Sequence, residues 1–284
     1  MPLASVLTVL FASLALVWTG APAPPAPDTS AKAVALAASH YVDDYQKQLS
    51  YLLAEESGTQ EVYVSGPSGP PRQRRTTKAE VFLTFLEGDR VWLSVRDVTE
   101  VDGEPLEPKP DLRALLTAGP ILGLARTLAA ESSRFNIGSI ARNFNEPTIG
   151  LLVLDGRHRG HFKFDRKKVE SSAGGPIVTL AFTEKEPPTL IHGLNGVDVF
   201  SKGELVVEAA TGRVRQTTLE MSTGIVRAKL TTTFVEDTRL DIWVPNALTE
   251  RYTDQVDIRH AYETTICESK YSNYRRFDVQ VRIK

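Results

Sequence analysis

From Phe162 to the end of the chain, apolar and polar residues alternate in short runs, and turn signals close the runs one after another. Segments 177–183, 203–209, 214–221, 225–235, 248–254, 256–269 and 276–283 read as strands, with another starting at Phe162. Thr211-Gly212 and Thr223-Gly224 are tight connections, which join antiparallel neighbours. Three earlier strands are expected at 61–65, 77–86 and 90–101. The last two pair around Glu87-Gly88-Asp89, and Asp102-Gly103 makes a further tight turn. About eleven strands are more than a flat twisted sheet holds, so the sheet has to curl or close.

Two helical stretches interrupt this pattern. Asp28, Thr29 and Ser30 offer N-caps for a helix of about six turns, with an apolar stripe at Val34, Ala38, Tyr41, Tyr45, Leu49 and Leu52 or Leu53. Glu55-Glu56 is read as the solvated end of that helix. Residues 112–135 carry helical spacing on both sides of Gly119-Pro120. A short helix is expected over 147–154, with Asn145 as cap and Pro147 in its first turn. Helices set into a β sequence imply a cover over one face or one mouth of the sheet. The expected fold class is mainly β (α+β). It is a curved antiparallel sheet, or half-open β-barrel, of about eleven strands, with an N-terminal helix and an inserted helical segment covering the concave face.

Residues 3–18 are almost wholly apolar and lead into the Pro-rich run 22–27. The block has the length of a secretory signal core and is short for a membrane span, so an exported, periplasmic or secreted protein is expected. Residues 1–27 then form signal peptide and linker, and 28–284 a single half-barrel domain with a helical insertion at about 111–155. The net charge of −2 gives no drive toward nucleic acid or an anionic surface. Cys267 is the single cysteine, which excludes an intramolecular disulfide and leaves stability to packing.

No catalytic, cofactor-binding or metal-ligating residue is assigned, and no cofactor is expected. There is no Gly-x-Ser-x-Gly elbow, no His-Glu-x-x-His and no phosphate loop. His158 and His161 lie three apart near Asp155 and Asp165. Regular strand geometry would not aim them together, and Arg157, Arg159 and Lys163 oppose a cation. The basic runs at 72–78 and 157–168 lack interleaved aromatics for base stacking and read as solvated loop and edge-strand charge. Phe82, Phe85, Trp92, Phe162, Phe164, Phe182, Phe200, Phe234 and Trp243 fall on expected strands and read as core.

The element order, together with Leu240-Asp241-Ile242-Trp243-Val244-Pro245 and Tyr271-Ser272-Asn273-Tyr274-Arg275-Arg276-Phe277, resembles the bacterial lipoprotein-localisation-factor (LolA/LolB-like) fold. The resemblance covers about residues 30 to 284 and carries over no functional residue. In that family the aromatic-aliphatic-Pro step ends one strand of a late hairpin. The resemblance implies a half-open barrel whose concave apolar face holds acyl chains. Its functional counterpart here is an extracytoplasmic, non-enzymatic binding protein for an apolar or acylated ligand, with a lipid or acylated protein as partner. Two alternatives stand beside it: a scaffold of the same fold with a filled interior, and an unrecognised hydrolase.

Overall fold

The computed structural model describes residues 26–277 apart from 65, 87–90, 108–111, 119–120, 141, 143–145, 194–195, 225 and 255–261. Helix α1 (Ala31–Gln48) starts where the extended Ser30 accepts the Ala33 N–H at Oγ, 3.3 Å away. It ends as the Leu49 N–H donates to the Tyr45 carbonyl at 2.9 Å. Tyr51, at φ 57°, then turns the chain into β1 (Leu52–Val64). The helix is therefore shorter than expected, and Leu52, Leu53, Glu55 and Glu56 belong to the strand. The apolar stripe runs on from helix into strand without a break, so periodicity could not mark the boundary.

β2 (Gln73–Leu86) and β3 (Val91–Val101) follow, and β3 turns into β4 (Glu104–Pro105) through Asp102 and Gly103 at φ 53° and 87°. Both central residues of this turn are left-handed, as the Asp-Gly signal anticipates. The insertion contains α2 (Leu112–Ala118), α3 (Ile121–Ser133) and two 3-10 segments, Ile149–Leu154 and Arg159–His161. The expected cap Asn145 and the breaker Gly119-Pro120 lie outside the described residues, as does the Glu87-Gly88-Asp89 turn.

The second half supplies β5 (Phe162–Ser172), β6 (Gly175–Glu184), the short β7 (Ile191–His192) and β8 (Asp198–Val199), then β9 (Ser201–Glu208). It continues with β10 (Val214–Ser222), β11 (Val226–Asp237), β12 (Ile242–Asp254) and β13 (Glu263–Arg276). Eleven strands make one sheet in the order β4-β3-β2-β1-β13-β12-β11-β10-β9-β6-β5, while β7 and β8 pair separately. Every pairing is antiparallel, and the end strands β4 and β5 leave the sheet open.

Two strand expectations are corrected. β12 begins at Ile242, not at residue 248, and takes in Pro245, opposite Phe234 where the register with β11 shifts. A bulge is where a residue without an N–H can sit in a strand, so this proline does not end the strand as the resemblance implied. β13 is one strand across Ser269–Arg276, where a break had been expected; residues 278–283 of the last expected strand lie outside the description.

α1 packs against β2 near one end of the sheet and against β9, β6 and β5 at the other. A sheet whose opposite ends touch one helix has to curl around it, so this face is concave. Val34, Ala38, Val42, Tyr45 and Leu49 enter a core with Leu52, Val81, Leu83, Val178, Leu205, Leu230 and Leu248. Ile140 and Leu151, Val153 and Leu154 of the insertion join the same core. Helices α2 and α3 do not. Leu112, Leu116, Ala125 and Leu128 pack with Phe277, just past β13, and with Leu53, Phe82 and Val95, which alternate with the concave set on β1–β3. The expected concave cover is thus supplied by the later part of the insertion, and α2–α3 roof the other face. The physical reason is that β1–β3 are apolar on both sides and each side needs burial.

The β9–β10 turn positions α1. Gly212 sits at φ 72°, and a Cβ there would fall 2.2 Å from the Ala37 carbonyl oxygen. Gly212→Ala should lower the unfolding free energy by about 2 kcal/mol or more, through left-handed strain and helix displacement. A denaturant titration checks this, and an unchanged midpoint would rule out the close packing of turn on helix.

Candidate functional site: the enclosed face under α1

Alternation along β1, β3, β12 and β13 places polar residues among the apolar ones on the concave face. Glu56 of β1 stands opposite Tyr271 of β13 and Ala79 of β2. It is only 4% exposed. Arg96 of β3 donates to it from Nη2 at 2.6 Å and also approaches its second oxygen through Nε. A two-point carboxylate–guanidinium pair of this kind is what allows two charges to be buried together. Glu56 was expected at a solvated helix end; strand parity turns it inward. Glu55, its neighbour, is exposed and accepts from Asn273 Nδ2 at 2.7 Å.

Two more carboxyls face Arg96. Glu250 on β12 accepts the Tyr252 hydroxyl, and Glu146 of the insertion accepts the Thr148 hydroxyl. Burial pushes Glu250 up to about 7, against the downward pulls of Tyr252, Arg96 and Arg142. Burial also pushes Glu146 up to about 7, against Thr148 and Arg96. Arg142 ties the insertion to the sheet, donating to the Ile137 carbonyl at 2.8 Å and to Gln60 Oε1 on β1. Burial raises the Cys267 thiol to about 11, so it stays protonated.

Outside this compartment an apolar groove of about 350 Å³ opens between the start of α1 and the edge strand β5, lined by Lys32, Ala35, Leu36, Arg159 and Phe164. Leu36 is 42% exposed there.

The residues weighed from sequence fall elsewhere. His158 and His161 bracket a 3-10 turn, and His161 Nδ1 lies 3.2 Å from the Glu186 and Pro188 carbonyls. Among the described residues no three His, Cys, Asp or Glu groups converge for a metal ion. The basic runs are paired across and along strands: Lys78 with Glu100 at 2.9 Å, Arg75 with Asp102 at 3.4 Å, Lys163 with Asp165 at 3.0 Å and Lys168 with Glu170 at 2.9 Å. Phe200, expected in the core, is half exposed between β8 and β9. The cluster of Glu56, Arg96, Glu146 and Glu250 had no short motif to announce it. Its one signal was charge at positions of apolar parity, such as Glu250 between Leu248 and Tyr252.

No family model and no curated protein matches the chain. Among solved structures it is similar to a protein described as an outer membrane lipoprotein-sorting domain from Vibrio parahaemolyticus. Identity is 10%, over 88% of this chain and 93% of that one, with a TM-score of 0.33. It is also similar to a DUF1329 family protein from Desulfovibrio piger, at 13% identity over 89% of this chain and 95% of that one, with a TM-score of 0.39. Likenesses at these scores carry no argument about function; the open eleven-stranded half-barrel stands on its own strand order.

The buried carboxyls make a pH prediction with a definite sign. An acid whose folded value is raised above the usual 4.5 or so contributes fully below that value, and its contribution is lost as pH rises through about 7. Glu250→Gln should therefore flatten the fall of unfolding free energy between pH 4.5 and 7, by up to about 1.4 kcal/mol per pH unit. Asp28, Asp198 and Asp237, held low by hydrogen bonds, act in the opposite direction at more acid pH and are unaffected by this variant. Parallel pH series on the two proteins decide it; identical slopes would mean that Glu250 is solvated.

Proposed function

We propose that residues 28–284 act as a single exported unit, working in the periplasm or outside the cell, that binds an apolar or acylated ligand without catalysing a reaction. The observation that carries this reading is how α1 is held. Its contact with the sheet is built from Val34, Ala38, Val42, Tyr45 and Leu49. Its buried side-chain hydrogen bonds go instead to the insertion: Ser39 Oγ to the Leu154 carbonyl at 2.7 Å, and Gln46 Nε2 to Asp155 at 2.9 Å. Raising α1 together with the Ile149–Leu154 segment breaks no strand ladder, and it uncovers the apolar trough from the side where the groove at Leu36 and Phe164 lies. An apolar chain entering there gains burial at about 0.8 kcal/mol per CH₂. Among the described residues no helix is long and apolar enough to cross a membrane.

The second reading is a scaffold whose interior is permanently filled. It is favoured by the buried Glu56–Arg96 pair, which an acyl chain cannot replace as a partner. Native mass spectrometry of protein from a membrane-containing host separates the two. The binding reading expects co-purified lipid, displacement of a fluorescent fatty-acyl probe, and at least tenfold weaker probe binding in Leu36→Glu, because a charge in an apolar groove is costly. Absence of both lipid and probe binding would leave the scaffold.

A further inference from the structure

The enclosed face contains hydrogen-bonding groups that the fold does not use. Tyr45 Oη, Trp92 Nε1, Ser94 Oγ and Tyr271 Oη are buried, and none has a hydrogen-bond partner among the described residues. Tyr45, Trp92 and Tyr271 are 1%, 7% and 6% exposed. Native interiors pair nearly all such atoms, so several together on one face call for an occupant. Three of them are neighbours. The rings of Tyr45 and Trp92 lie 5.8 Å apart, and Ser94 is the next inward position along β3. Tyr271 stands apart from these three, opposite Glu56 across the β1–β13 pair and beside Arg96.

Their chemistry narrows the occupant. A phenol and an indole N–H offer hydrogens, and indole can only donate, so the occupant presents an acceptor. An anion is disfavoured, because Glu146 faces Tyr45 and the Arg96 guanidinium already holds Glu56. A neutral oxygen fits. The walls beside the donors are apolar, with Phe85 5.1 Å from Trp92 and Phe234 6.3 Å from Tyr45, ring to ring. What bears the oxygen is therefore largely hydrocarbon. Along α1, Tyr45 is ten residues from Ala35 in the apolar groove, or about 15 Å of helix, a span that an extended acyl chain of medium length can follow.

We propose that Tyr45 and Trp92, with Ser94 beside them, hold the carbonyl oxygen of an ester-linked acyl chain whose tail runs under α1 toward Leu36. This rests on the binding function proposed above and adds to it the kind of linkage recognised: acyl esters over ethers of equal length.

The test compares monododecanoyl glycerol with 1-O-dodecyl glycerol, which lacks only the carbonyl, by isothermal titration of the full chain. The ester should bind about tenfold more tightly, the value of one or two buried hydrogen bonds. Tyr45→Phe and Trp92→Phe should each lower ester affinity toward that of the ether, while keeping a cooperative thermal transition. Equal affinities in the unaltered protein would overturn the carbonyl site yet leave apolar binding standing, since the donors are then served by water alone. Failure of both glycerides to bind would overturn the carbonyl site and the binding function together. The comparison on the unaltered chain decides the matter even if a variant fails to fold.

Discussion

The fold depends on one apolar contact, the seating of α1 in the trough of a sheet too long to lie flat. Eleven antiparallel strands with an apolar inner face need something to exclude water from that face, and among the described residues the one other sheet is the two-stranded β7–β8 pair. α1 meets the need with side chains almost fully removed from solvent. Tyr45 is its largest buried anchor, touching Trp92 of β3 and Phe234 of β11 from a single helical position. Each such side chain contributes about 1.5–3 kcal/mol on burial. Strand curvature, helix placement and interior volume are therefore set together.

Much of this architecture was readable from residues. Turn dipeptides such as Asp102-Gly103 and Thr211-Gly212 encode their own backbone angles, and the stripe at Val34, Ala38 and Tyr45 encodes the buried side of α1. Other features were hidden for physical reasons. Leu52 continues the helical stripe while lying on a strand, because burial selects residue type without regard to backbone state. Pro245 and Asn273 resemble strand breaks, and the sheet absorbs each locally. That α2 and α3 lie outside the trough follows from Leu53, Phe82 and Val95, but only once β1–β3 are known to be neighbours. The polar interior was least legible, since Glu56, Arg96, Glu146 and Glu250 come from four separate segments that only the tertiary fold unites.

That interior shapes what the molecule can do. A wholly apolar trough would accept any greasy chain in any orientation. The Glu56–Arg96 pair and the neighbouring carboxyls are costly to desolvate, and removing one partner of such a pair is worse than removing both. They place charge on an otherwise apolar face, so the side under α1 is not uniformly greasy. Arg142 in turn ties the insertion to β1 through Gln60.

Cys267 gives this arrangement a built-in gauge. Its sulfur faces the compartment that α1 and the insertion close, and its burial keeps it in the unreactive thiol form. On the proposed raising of α1, a small alkylating reagent would reach it while the roof is up. The pace of labelling would then report that opening, and an occupant that holds the roof down should slow that clock.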